Sequence, residues 1–408
     1  MKLTGPFKQL LTMDHLPAKG PLSDEQLEII PDAGILHSKG KIIATGNFEL
    51  LKKQFHSTDI DWLEGDYVGL PGMIDVHTHS CWAGSRANDY ALRLLGKTYL
   101  EIAAMGGGIW DTVIKTREAT LEELSEIIEQ RAYKALKLGT TTMEVKSGYG
   151  LTFDQELKIL EAISFANKRS VSDLVSTCLA AHILPKDFKG TEMDYLNSIS
   201  DKLLPVLKEK KLTSRVDIFV EKSAFSVSAA KIYLAKAKEM GFELVLHGDQ
   251  FSVGAADLAN EAGAISIDHL EAAGDQEIAI LAKGNVIPVV LPGASLGLGE
   301  PFAPARKLLD AGTSLVIASD WNPGSAPMGN LLVEAAILGA MEKLTMSEVW
   351  AALTCRAANA LRKTDRGILK QGYLADVVAF KTNDYKEILY QQGQLRAGMV
   401  WKNGEIVN

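Results

Sequence analysis

The chain has 408 residues, of which 47% are hydrophobic and 23% charged, with a formal net charge of -8. That length exceeds one ordinary core, and the balance excludes disordered and membrane-like chains. No apolar run approaches a bilayer span, MKLTGPFKQLLTMDHLP lacks a continuous apolar signal core, and no basic block favours nucleic acid or an anionic membrane, so a cytoplasmic protein is expected.

Residues 1–67 read as short strands and turns. Gly34 to Gly46 suits a hairpin folded around Ser38-Lys39-Gly40. His15, His37 and His56 fall in this polar region, where a solvated surface histidine is expected. Residues 68–364 change texture, opening with VGLPGMIDVHTH. There a buried-type strand runs into His77-Thr78-His79, and residues i and i+2 of an extended strand share a side, so two imidazoles are presented together as half of a metal site. Cys81 follows closely and is expected to be a small buried filler. With three cysteines at unrelated spacings, no disulfide framework is expected.

Eight strands are predicted: Gly72 to His77, Thr140 to Val145, Leu174 to His182, Val216 to Glu221, Leu244 to His247, Ala264 to His269, Val286 to Leu291 and Ser314 to Asp320. Amphipathic segments separate them, among them one from Thr120 with a capping box to Glu123, and Asp154 to Asn167. Others are Val227 to Met240, Ala255 to Ala262, Asp275 to Lys283, Phe302 to Ala311 and Leu331 to Met341. This alternation predicts a closed parallel (β/α)8 TIM barrel. An open doubly wound sheet is the rival, but no phosphate-type glycine motif follows an early strand. After a helical Thr345 to Leu361, residues 365–408 return to turn-punctuated strands. A small β-sandwich domain built from both chain ends (1–67 and 365–408) is therefore expected beside the barrel (68–364).

In such barrels the active site collects at the carboxyl ends of the strands. All five histidines of this region, His77, His79, His182, His247 and His269, sit at predicted strand ends, as does Asp320. Three imidazoles and one carboxylate suit Zn2+ or Fe2+ with a position left for water, and an acidified water beside a carboxylate points to hydrolysis of a C–N bond. Arg86 is the expected clamp for a substrate carboxylate. Met105 to Ile109, with its three glycines, reads as a flexible loop.

The motifs LPGMIDVHTH and GILKQGYLADVV resemble those of the metal-dependent amidohydrolase superfamily. Within it, Gly106-Gly-Gly-Ile109, Thr116-Arg-Glu-Ala, Glu144-Val-Lys-Ser-Gly-Tyr-Gly150, Ala181-His182 with Pro185, His247-Gly-Asp-Gln250, Asp268-His-Leu-Glu271 and Ser319-Asp-Trp-Asn-Pro-Gly324 are similar to the imidazolonepropionase family. The resemblance implies one iron or zinc ion held by His77, His79, His247 and Asp320. It implies substrate contacts from Arg86, Tyr149, His182, Gln250, Asn322, Gly324 and Ser325, and hydrolytic opening of 4-imidazolone-5-propanoate to N-formimidoyl-L-glutamate. The small molecule is the expected partner and a homodimer the expected assembly. Gln250 stands where some similar members carry Glu; an amide cannot act as a base, which makes Asp320 with His269 the stronger candidate catalytic pair. Rival expectations are another cyclic amidase or deaminase, a silent scaffold, and a binuclear site bridged by a carboxylated Lys222 or Lys146.

Overall fold

The computed structural model describes residues 1–98, 101–102 and 105–407. Five strands come before the barrel: β1 (Lys2–Leu11), β2 (Ile29–Ser38), β3 (Lys41–Asn47), β4 (Asp59–Trp62) and β5 (Val68–Pro71). The expected hairpin is β2 and β3, with Lys39 and Gly40 both at positive φ (50° and 77°), the backbone that a tight two-residue turn between twisted strands demands.

The barrel follows as β6 (Met73–Asp75), β7 (Thr140–Lys146), β8 (Asp173–Ala181), β9 (Arg215–Val220), β10 (Glu243–Gly248), β11 (Ser266–His269), β12 (Ile287–Val290) and β13 (Val316–Ile317). These eight run parallel in sequence order. The two end strands meet beyond their ladders. The Asp320 N–H donates to the His77 carbonyl at 3.0 Å, the His79 N–H donates to the Trp321 carbonyl at 3.0 Å, and Thr78 bridges Trp321. Ring closure thus falls on His77, His79 and Asp320, the residues expected to bind metal. β13 is shorter than its predicted span because residues 318–320 bond alternately to both neighbours and no longer extend one ladder.

Three strands complete the chain, β14 (Val377–Phe380), β15 (Ala397–Lys402) and β16 (Glu405–Val407). They join the first five in one sheet of order β16-β15-β14-β5-β1-β2-β3, with β4 on β1. Lys41 at the far edge bridges Leu374, so the sheet bends round on itself, and its two halves enclose Phe7, Leu10, Ile35, Val377 and Trp401. β5 belongs to this sheet, so the barrel starts at Met73 and not at 68. Gly72 makes the crossing, where a Cβ would lie 2.3 Å from Thr141 Oγ1. His37 is buried in the sheet and 3.2 Å from Thr4 Oγ1, which corrects its expected surface position; His15 and His56 are exposed.

The helices follow local signals. Thr120 and Glu123 cap Leu121–Lys137 reciprocally, and Leu124, Ile128 and Ala132 recur at i+4 to bury one face. The segment expected as one helix from Thr345 is two, Met346–Leu353 and Cys355–Ala360, broken at Thr354. No helix among the described residues is long and apolar enough to cross a membrane.

Sheet and barrel are joined by buried charge. Lys402 Nζ reaches Asp376 at 2.7 Å and Asp173, at the start of β8, at 2.8 Å; Arg366 also bonds Asp173 and reaches Thr142 Oγ1 at 2.8 Å. Replacing Lys402 by Met leaves buried Asp376 without its cation, a change that typically costs about 3–5 kcal/mol. Denaturant unfolding is expected to read a loss of that order, whereas Lys2→Met, at the exposed 3.6 Å pair with Glu405, costs under about 1 kcal/mol.

Candidate metal centre

On β7 the alternate residues Thr142, Glu144 and Lys146 share one side, and the contacts of Lys146 with β9 and β11 show that this side faces the barrel interior. By the same rule Arg215, Asp217 and Phe219 point inward from β9 and His247 from β10. Lys146 is fully buried and lies 2.7 Å from Asp217, 2.9 Å from Glu144 and 3.6 Å from Asp268. Burial alone would lower its pKa, but the three carboxylates raise it above the ordinary lysine value. It is therefore an ammonium, unsuited to carboxylation. Lys222 is exposed, so neither lysine proposed as a bridge is placed to serve as one.

The same carboxylates back the histidines. His77 Nδ1 donates to Asp268 at 2.6 Å, and His247 Nδ1 lies 3.0 Å from Asp217. Both rings then turn Nε2 inward. His77 Nε2 is 3.2 Å from His79 Nε2, which is 3.3 Å from His247 Nε2; Asp320 Oδ1 lies 3.4 Å from the first and 3.3 Å from the second. Bare lone pairs aimed at one another repel unless a cation lies between them. Ligands about 2.0 Å from a tetrahedral ion stand roughly 3.3 Å apart, so the donor set and its spacing fit a zinc-sized divalent ion. Burial comes first in keeping His77 and His247 well below the usual imidazole range, followed by the charge of Lys146, so both rings are neutral, the form in which imidazole can bind a metal. Cys81 stands outside the cluster, its thiol pushed up to about 12 by burial, as expected of a filler.

The remaining predicted residues ring this centre. His182 donates Nδ1–H to the Gly148 carbonyl at 3.0 Å, and its ring lies 5.3 Å from His79. Tyr149 is 5.9 Å from His79 and 5.6 Å from His182. His269 is 5.4 Å from His247 and 5.9 Å from His77. Its inward position is not that of a regular strand, since its neighbour Asp268 already points inward. A φ of 92° at His269 and 72° at Leu270 ends β11 and swings the ring back. Gln250 lines a cavity of about 220 Å³ with Glu271, Phe251 and Ser295. Arg86 sits at the start of the helix Ala87–Leu94, its guanidinium beside Gly324, where a Cβ would meet Nη1 at 2.8 Å. Asn322 spends its amide on its own turn. It donates to Asp320 Oδ2 at 2.9 Å and to Ser325 Oγ at 2.9 Å, and accepts from the Gly324 and Ser325 N–H groups at 2.8 Å each.

Four groups escaped the sequence reading in these roles: Lys146, Asp217 and Asp268 beneath the histidines, and Glu271, whose Oε1 lies 3.3 Å from His269 Nδ1. The alternation of Glu144 and Lys146 with Met143 and Val145 in an otherwise buried strand was the available signal.

A parallel eight-stranded barrel with three imidazoles and a carboxylate at its carboxyl end defines a metal-dependent hydrolase. The chain belongs to the amidohydrolase family, whose profile matches residues 100–408, and within it to the imidazolonepropionases. It is 40% identical to the imidazolonepropionase of Bacillus cytotoxicus over 98% of this chain and 94% of that one, and equally so to that of Bacillus cereus. Among solved structures, the atrazine chlorohydrolase of Arthrobacter aurescens with zinc superposes with a TM-score of 0.71 at 17% identity, covering 100% of this chain and 95% of that one. The guanine deaminase of C. acetobutylicum superposes at 0.70 and 15% identity, covering 100% of both. At these identities the two structures speak for the fold.

Removing a carboxylate that orients a metal-binding histidine typically costs 10- to 100-fold in metal affinity. Asp268→Ala is expected to weaken metal binding by about that factor in chelator competition, with the barrel still folded by circular dichroism.

Proposed function

We propose that this chain hydrolyses 4-imidazolone-5-propanoate to N-formimidoyl-L-glutamate, in histidine degradation, at the centre formed by His77, His79, His247 and Asp320. What carries the reading is a four-donor centre with a guanidinium on the same rim, in a chain 40% identical to imidazolonepropionases over 98% of its length. The cofactor is one divalent ion per chain, iron or zinc, which when bound supplies a Lewis acid and acidifies a water toward neutrality. Exposed Leu94 and Leu95 offer apolar surface that a second copy would cover in a cytoplasmic homodimer.

In this proposal the protein side chains bind substrate and move protons. Arg86 takes the propionate carboxylate, and Tyr149 and His182 flank the ring on the His79 side. Gly324 and Ser325 border the same space from the strand-eight turn, and Asn322 holds that turn against Asp320. Asp320, the carboxylate of the centre, accepts the proton of the attacking water and passes it to the departing ring nitrogen. Burial would lower the pKa of His269, but the adjacent Glu271 raises it, which equips the ring to donate to the developing oxyanion. Gln250, an amide, positions substrate and takes no proton.

Elemental analysis of the purified protein beside an assay with fresh substrate is expected to find one equivalent of iron or zinc and turnover. Two tightly held equivalents in active protein, or no turnover, would overturn the proposal. Asp320→Asn is expected to lose at least about three decades of kcat, the scale of acid–base loss combined with metal perturbation. Gln250→Ala should act mainly on KM. A Gln250→Ala enzyme as inactive as Asp320→Asn, with its metal retained, would move proton transfer to residue 250.

A further inference from the structure

Asp89 lies one helical turn beyond Arg86 and is buried, 6% exposed, although it is an acid on a short helix at the rim. Its Oδ2 accepts two hydrogen bonds, from Arg86 Nε at 2.7 Å and from the backbone N–H of Gly108 at 2.9 Å. Gly107 packs against the other oxygen so tightly that a Cβ there would lie 2.4 Å from Asp89 Oδ1. The glycine run therefore grips a carboxylate with its backbone, and that carboxylate holds a guanidinium.

The geometry has a directional consequence. A guanidinium presents two edges suited to a carboxylate, one containing Nε and one formed by the two Nη atoms. Asp89 occupies Nε, while Nη1 stands against Gly324. Gly324 is itself fixed from its carbonyl side, where Arg93 Nη2 donates at 3.0 Å, and Arg93 Nη1 ties the same assembly to the Gly297 carbonyl at 3.0 Å. With Nε taken, the edge left for an incoming carboxylate is the Nη pair, held beside the turn that carries Asp320.

We infer that Asp89, gripped by the Gly107-Gly108 backbone, is the positioning residue that aims the Nη edge of Arg86 at the substrate carboxylate and so sets affinity for it. The inference rests on Arg86 being the carboxylate clamp. Two effects of Asp89 oppose each other: its charge repels the substrate anion, and its acceptor geometry removes the torsional freedom of Arg86 before binding. Both N–H bonds converge on one oxygen, which an amide oxygen can reproduce, so the geometric effect is separable from the charge.

Asp89→Ala is expected to raise KM roughly 2- to 12-fold, the range set by ordering one rotamer-rich side chain at the moment of binding, with kcat unchanged. Asp89→Asn should recover most of that loss. Gly107→Ala, which keeps the carboxylate but displaces it, should raise KM in the same way. In an Arg86→Met background Asp89→Ala should add nothing. Circular dichroism and metal content verify that each variant is folded and loaded. An Asp89→Ala enzyme with unchanged KM, or an Asn variant no better than Ala, would overturn the positioning role. If Arg86→Met itself leaves KM unchanged, the clamp reading has failed; if Arg86→Met raises KM and Asp89→Ala does not, only the present inference has.

Discussion

Lys146 lies fully buried beneath the imidazoles, its ammonium shared among Asp217 at 2.7 Å, Glu144 at 2.9 Å and Asp268 at 3.6 Å. Each of these charges alone would cost several kcal/mol to bury, so they persist only as a set. Burial pushes the Asp268 carboxyl above the ordinary carboxylate value, and Lys146 draws it back down. Because Asp268 also bonds His77 and Asp217 faces His247, the cation below the site fixes which nitrogen of each ring points up. Arg215, 3.6 Å from Glu144, extends the network toward the bottom of the barrel. The orientation of the candidate metal-binding rings is thus set from the barrel floor.

Above this floor the strands end in strained backbone. His269 and Asp320 adopt positive φ, 92° and 52°, which costs non-glycine residues of order 1–3 kcal/mol each. The structure offsets that cost locally. The Asp320 N–H bonds the His77 carbonyl in the same contact that closes the barrel, and Asn322 ties its side chain to the turn. Closing the barrel and placing the carboxylate are accordingly one event.

Behind Asp320 a second buried carboxyl region supports the closure. Asp75 accepts from the Ser319 N–H at 3.1 Å and the Ser319 hydroxyl at 2.5 Å, and burial raises it to about 7. Nearby Glu334 is fully buried with neither side-chain oxygen hydrogen-bonded among the described residues, and burial holds its pKa well above the ordinary value. A neutral carboxyl there avoids an uncompensated charge behind the site.

Much of this was legible along the chain, because the signals are local. Alternating apolar runs and amphipathic segments determined the barrel; the i, i+2 rule put His77 and His79 on one side; histidines at the ends of predicted strands marked the centre. Thr120 and Glu123 announced their helix. Legibility stopped wherever a position depended on a partner distant in sequence. No periodicity places His269 inward beside an inward Asp268, since only a reversed φ does so. The burial of His37, the membership of β5 in the terminal sheet, the break at Thr354 and the grip of Gly108 on Asp89 arise from packing between distant segments. Sequence determined which groups exist and which way regular elements point them. Tertiary structure decided where those elements end and which buried charges meet, because burying charge is tolerable only when all its partners arrive together.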